Sequence, residues 1–142
     1  MISVSQILKN KNNEIYTVTP VTTVYDAIKL MGEKNIGALP VIENGMLCGI
    51  FSERDYARKI VLLNRKSQET PISDIMTSTV ITISPTDTLD RCMEIMSSKK
   101  FRHLPVVNDN KLVGIISVGD VVTAIIESQK ETINHLQNYI TQ

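Results

Sequence analysis

The chain has 142 residues and a mass of 15.9 kDa, with 15 Lys plus Arg balanced by 15 Asp plus Glu for a formal net charge of zero. That length suits one compact domain, a hydrophobic fraction of 42% with 21% charged residues argues against disorder, and the charge balance removes a general attraction for nucleic acid or anionic membrane. No apolar run reaches the ~20 residues of a membrane span, and the start MISVSQILKNKNN lacks the basic end and apolar stretch of a signal peptide, so the expected setting is the cytoplasm with no membrane partner.

Taken in chain order, Val4 to Leu8 reads as a short lead-in helix and Lys9 to Glu14 as a loop. A β-branched run, Ile15 to Val18, ends at Pro20 and a Thr cluster that can cap a helix. Val24, Ala27, Ile28 and Met31 follow at three- and four-residue steps, the spacing of one apolar helix face. The apolar strands Ala38 to Ile42 and Met46 to Ser52 flank the turn Glu43-Asn44-Gly45, a hairpin signal, and a second helix starts at Glu53. The polar stretch Asn64 to Thr70 reads as a linker. Beyond it the order repeats: lead-in Ile72 to Met76, strand Val80 to Ile83, and a helix marked by Leu89, Cys92, Met93 and Met96. Then come strand Leu104 to Val107, turn Asn108-Asp109-Asn110, strand Lys111 to Ser117, and a helix from Val118. Pro40 and Pro105 should sit at a strand end, an edge or a bulge. Cys48 and Cys92, each inside an apolar stretch, read as reduced core thiols.

Residues 15–60 align without gaps on residues 80–125 at an offset of 65, with fourteen identities that include the pairs Pro20/Pro85, Gly49/Gly114, Ser52/Ser117 and Asp55/Asp120. The expected fold is therefore α+β: two β-α-β-β-α repeats, too small to close separate cores, packed about a pseudo-two-fold axis with two related clefts between them. Residues 1–63 form repeat 1 with its lead-in helix, 64–71 the linker, and 72–142 repeat 2 with an extended final helix. Ile7 to Pro20 is 13 steps where Ile75 to Pro85 is 10, which places the extra residues in the Lys9 to Glu14 loop.

The sequence contains neither a dinucleotide fingerprint nor a phosphate loop, and no G-x-S-x-G, H-E-x-x-H or paired-Cys motif, so no catalytic residue and no metal site is assigned. What remains is a binding constellation at the second helix start of each repeat, Ser52-Glu53-Arg54-Asp55 and Ser117-Val118-Gly119-Asp120. Spacing alone favours a capping box. The same geometry also suits a nucleotide, with the helix start drawing a phosphate and Asp accepting from ribose hydroxyls. Pseudo-symmetry would bring Arg54 toward Arg102 and His103 as three cations about one anion. The other cleft would pair Ser117 and Asp120 with Gly37 and Ala38, keeping Ser and Asp but lacking the cations, so two unequal sites are expected.

The recurrence of L-P-V followed by G-I-x-S-x-x-D resembles a tandem pair of cystathionine-β-synthase (CBS) domains, a Bateman module, over essentially the whole chain. Phe51-Ser52-Glu53-Arg54-Asp55-Tyr56 and Arg102-His103-Leu104-Pro105-Val106-Val107 are similar to bacterial proteins made of one CBS pair. The resemblance implies an adenosyl ligand, AMP first and NAD(H) or ATP next, with Asp55 and Asp120 on ribose and Ser52 and Ser117 at the helix starts. It also implies that Thr77 and Val80, facing Asp55, hold the adenine, and that the module forms a homodimer and regulates a partner protein still to be identified. Val121, Val122, Ile125, Ile126, Ile133, Leu136 and Ile140 continue an apolar stripe along the last helix, to be covered by a second copy or a partner, or by the tail folding back. The expected function is a non-catalytic nucleotide sensor. The alternatives are a structural dimerisation or interaction domain whose Ser-x-x-Asp units only cap helices, and an enzyme with His103 as its acid or base.

Overall fold

Side-chain hydroxyls start the helices that the apolar spacing predicts. Thr23 caps α2 (Val24–Lys34) by accepting from the Asp26 N–H, and Thr88 caps α4 (Leu89–Lys99) by accepting from the Arg91 N–H. Ahead of them lies α1 (Val4–Lys9), opened by a reciprocal Ser3/Gln6 capping box. The computed structural model describes residues 2–11 and 14–141; Asn12 and Asn13 of the predicted loop, and both terminal residues, lie outside the described residues.

Two hairpins follow from the turn chemistry. β1 (Ala38–Glu43) pairs antiparallel with β2 (Met46–Ser52) across Asn44 and Gly45, both at positive φ. β3 (His103–Asn108) pairs with β4 (Lys111–Ser117) across Asp109 and Asn110, also both at positive φ. Two consecutive positive-φ residues give the turn whose twist matches that of the flanking strands. The α+β class read from the sequence is the observed one.

The first strand of each repeat shrinks to a single parallel bridge, Val18 with Val41 and Ile83 with Val106. The Val18 N–H donates to Pro40 O at 3.1 Å and the Ile42 N–H to Val18 O at 2.8 Å, while the Ile83 N–H donates to Pro105 O at 3.0 Å. The next rung would need an N–H from Pro40 or Pro105, which proline lacks, so the ladder stops. Each proline thus sits on a sheet edge, and Pro40 also lies beside a register shift at Val41/Ile42.

Helix starts after β2 and β4 diverge. α3 (Glu53–Asp55) is one turn that widens into π-helix over Tyr56–Val61, turning Ile60 into the core. α5 (Val118–Thr141) runs 24 residues as a regular helix, about 36 Å long. The segment read as a linker does more than connect. Thr70 O accepts the Val24 N–H at 2.9 Å and Ser67 O accepts the Tyr25 N–H at 3.0 Å, satisfying donors at the start of α2, and Thr70 is buried.

The chain divides into two compact units that do not follow chain order: Met1–Asn13, Ile83–Val106 and Gly114–Gln142 in one, Glu14–Thr82 and Val107–Val113 in the other. In the second, the turn Ile72–Asp74 docks on the entry to α2 through Ile72 N–H to Thr22 O and Ser73 N–H to Pro20 O. Val18, Val24, Met31, Leu39, Phe51, Ile72 and Ile75 belong to its buried core. In the first, α1 makes the equivalent bonds, Val4 N–H to Asp87 O and Ser5 N–H to Pro85 O. Each lead-in is therefore bonded to the entry of the other repeat's helix.

Candidate functional site

The helix start after β2 is organised by one carboxylate. Asp55 Oδ2 accepts from the Ser52 N–H at 3.0 Å and the Ser52 hydroxyl at 3.2 Å, while the Asp55 N–H donates back to Ser52 Oγ at 3.3 Å. Its Oδ1 accepts from the Thr77 hydroxyl at 3.2 Å, and the side chain is nearly buried. Thr77 is delivered by backbone: it bridges Ile50 of β2 through two 2.9 Å hydrogen bonds. Gly49 permits that approach, since a Cβ there would lie 2.6 Å from Met76 Sδ and 3.1 Å from Thr77 O. Lys59 places its ammonium 2.9 Å from Ile75 O and 3.5 Å from Asp55 Oδ1. Sequence reasoning did not single out Lys59; its position four residues after Asp55 is the signal that could have found it.

Ser52, Asp55 and Thr77 are thus brought onto one cluster. Gly37 joins it through the backbone, its carbonyl accepting the Glu53 N–H at 3.1 Å; Ala38 opens β1 and is buried. Arg54 is exposed within the α3 turn, and Val80 is half-buried three residues beyond Thr77.

Arg102, His103, Ser117 and Asp120 belong to the other unit. The Ser117 N–H donates to Asp120 Oδ2 at 2.8 Å and the Asp120 N–H to Ser117 Oγ at 3.1 Å, a second capping box, while Arg102 O accepts the Val118 N–H at 3.0 Å. The third partner here is Lys11, whose ammonium donates to Asp120 Oδ2 and to Ile115 O, both at 2.7 Å. The Asp120 half-site was expected to lack a cation, and Lys11 supplies one. Its only sequence signal is its place in the longer lead-in loop.

His103 does not join Arg102 as a second positive charge. Burial, then the Arg102 charge, then Lys11 pull its imidazole below the ordinary value, with Asp120 opposing, so it is neutral at pH 7. Burial also pushes both thiols up, keeping Cys48 and Cys92 protonated.

The repeated Ser-x-x-Asp helix starts, each following a hairpin, agree with the sequence families that match. The CBS domain model matches residues 4–62 and again 72–127. The chain belongs to the CBS-domain family and carries two such domains. It is 38% identical over 147 residues to the mitochondrial CBS domain-containing protein CBSX3 of Arabidopsis thaliana, covering 97% of this chain and 71% of that protein. A protein with CBS domains from Burkholderia ambifaria MC40-6 superposes with a TM-score of 0.86 at 49% identity, over 89% of this chain and 96% of that one. CBSX2, solved in complex with AMP, gives 0.75 at 30% identity, over 91% and 99%. Among the described residues, no helix is long and apolar enough to cross a membrane.

Proposed function

We propose that this chain is a non-catalytic regulatory module that binds an adenine nucleotide, AMP ahead of ATP or NAD(H), and passes its occupancy to a regulated protein. The observation that carries the reading is the Asp55 carboxylate, held at a helix start by Ser52 and Thr77 and nearly buried. A carboxylate so fixed is an oriented acceptor, and ribose offers two adjacent hydroxyl donors. In this reading Ser52 and the exposed Arg54 take the first phosphate, and Thr77 and Val80 hold the adenine. Support also comes from the AMP complex of the related CBSX2. The module works as a homodimer in this reading.

Asp55→Asn keeps an oxygen to accept the Ser52 N–H but removes the charge. One charge-assisted hydrogen bond is worth roughly 1.5–3 kcal/mol, so AMP affinity should fall about tenfold or more by calorimetry. Equal affinity in variant and wild type would refute the assignment.

A second reading, a purely structural interaction domain, is favoured by the fact that both Ser-x-x-Asp units do form complete caps. It predicts no rise in melting temperature with AMP. The nucleotide reading instead predicts about 2.7 kcal/mol of added stability at 100 times the dissociation constant.

A further inference from the structure

The surroundings of α5 change part-way along it. Val121 is buried and Ala124, Ile125 and Ser128 are half-buried within the helix's own unit, whereas every residue from Gln129 to Thr141 is exposed. The second CBS match ends at residue 127, and the helix runs on to Thr141. An isolated helix shorter than about 12–15 residues is marginal in water, so a regular helix here calls for a partner surface.

The exposed side carries a seam. Val122, Ile126, Gln129, Ile133, Leu136 and Ile140 follow in steps of four, three, four, three and four, the heptad spacing of a coiled coil. Its five apolar members are 47–79% exposed. Val121, Ala124, Ile125 and Ser128 lie off this line, so packing within the chain leaves it open. Of the residues at the two heptad positions that flank the seam, only Lys130 is charged, so no like charges meet across a parallel pair of such helices.

The seam itself selects a second copy of the chain. Ile126, Ile133 and Ile140 hold the first heptad position and Val122 and Leu136 the fourth, and Ile with Leu in that order favours two parallel strands. Gln129 adds a preference for direction. In a parallel pair in register it meets its own counterpart, and two amides can each donate and accept. In an antiparallel pair centred on the seam it would face Ile133 and leave its amide covered without a partner, at the cost of an unmade hydrogen bond. Over two copies the five apolar side chains offer roughly 1,000 Å² for burial, about what a specific interface requires.

We propose that the C-terminal half of α5 forms a parallel, in-register coiled coil with a second copy of this chain. Both CBS pairs then extend from the same end of that coil. The inference rests on the homodimer reading and adds to it the direction and register of the contact.

The test compares full-length wild type, Leu136→Ala and Leu136→Cys. Wild type should sediment as a dimer, and Leu136→Ala should raise the dimer dissociation constant about tenfold or more. With glutathione disulfide, Leu136→Cys should give a covalent dimer on a non-reducing gel, while wild type, with Cys48 and Cys92 alone, should not. An antiparallel pair would hold the two introduced thiols about 15 Å apart along the axis, beyond disulfide reach. Should Leu136→Cys depart from the wild-type circular dichroism spectrum, Ile133→Cys supplies the same comparison from the neighbouring seam position. A monomeric wild type refutes the homodimer reading and the coil with it. A dimeric wild type overturns the coil alone if Leu136→Ala leaves its dissociation constant unchanged or Leu136→Cys fails to cross-link.

Discussion

At the scale of single residues, the side chains around each Asp decide its chemistry. Asp55 and Asp120 sit in matching Ser-x-x-Asp caps, which the sequence displays twice, yet Thr77 meets one and Lys11 the other. The caps were legible because they are local, three residues apart. The third partners were not, because Lys11 and Asp120 are 109 residues apart. His103 makes the same point about charge. The sequence counts it as a potential cation, whereas burial beside Arg102 and Lys11 favours the neutral ring, with only Asp120 acting the other way. The unfolded chain therefore binds a proton at His103 more readily than the folded one. Its contribution to stability is present above the ordinary histidine value of about 6.5 and is lost as pH falls from there toward the lowered value of the folded state. Melting temperature should fall between about pH 7.5 and pH 5.5 in wild type and fall less in His103→Gln. Parallel pH profiles for the two proteins would remove His103 as the cause.

At the scale of elements, turn and cap chemistry carried the prediction and close approach limited it. Helices α2 and α4, both hairpins and their positive-φ turns follow from spacing, hydroxyl caps and Asn, Gly and Asp residues. The strands predicted before α2 and α4 failed to extend because Pro40 and Pro105 withhold the donor for a second rung. Gly49 and Gly114, an identical pair in the repeat, owe their place to the lead-ins: a Cβ at Gly114 would lie 2.6 Å from a Leu8 methyl. That methyl can rotate away, whereas the carbonyl of Thr77 opposite Gly49 belongs to the backbone that carries the Asp55 partner. Gly49→Ala should therefore cost about 1–3 kcal/mol in urea unfolding and, on the nucleotide reading, weaken AMP binding as well. Gly114→Ala should cost less, and the opposite order would contradict this account of the pair.

At the scale of the whole molecule, the end of α5 leaves apolar surface uncovered. Ile133, Leu136, Tyr139 and Ile140 are all exposed, as are Val122 and Ile126 closer to its start, so the alternative of a tail folded back on its own core is not what the chain adopts. On the homodimer reading this stripe is the contact. Ile133→Glu with Leu136→Glu should then convert a dimer to a monomer in sedimentation equilibrium, while a wild-type monomer would end that reading. The sequence by itself determined the α+β class, the repeat, the family and the identity of both Ser-x-x-Asp helix starts, because each is written in residues a few steps apart or in a fixed offset. Only the tertiary structure decided that α1 is hydrogen-bonded to residues 85 and 87, that Ile72 and Ser73 are bonded to residues 22 and 20, and that Lys11 reaches Asp120. The repeat offset specifies what is equivalent along the chain. Which distant segment satisfies a given donor or carboxylate is settled by where folding brings the backbone, and that is where the two repeats cease to be alike.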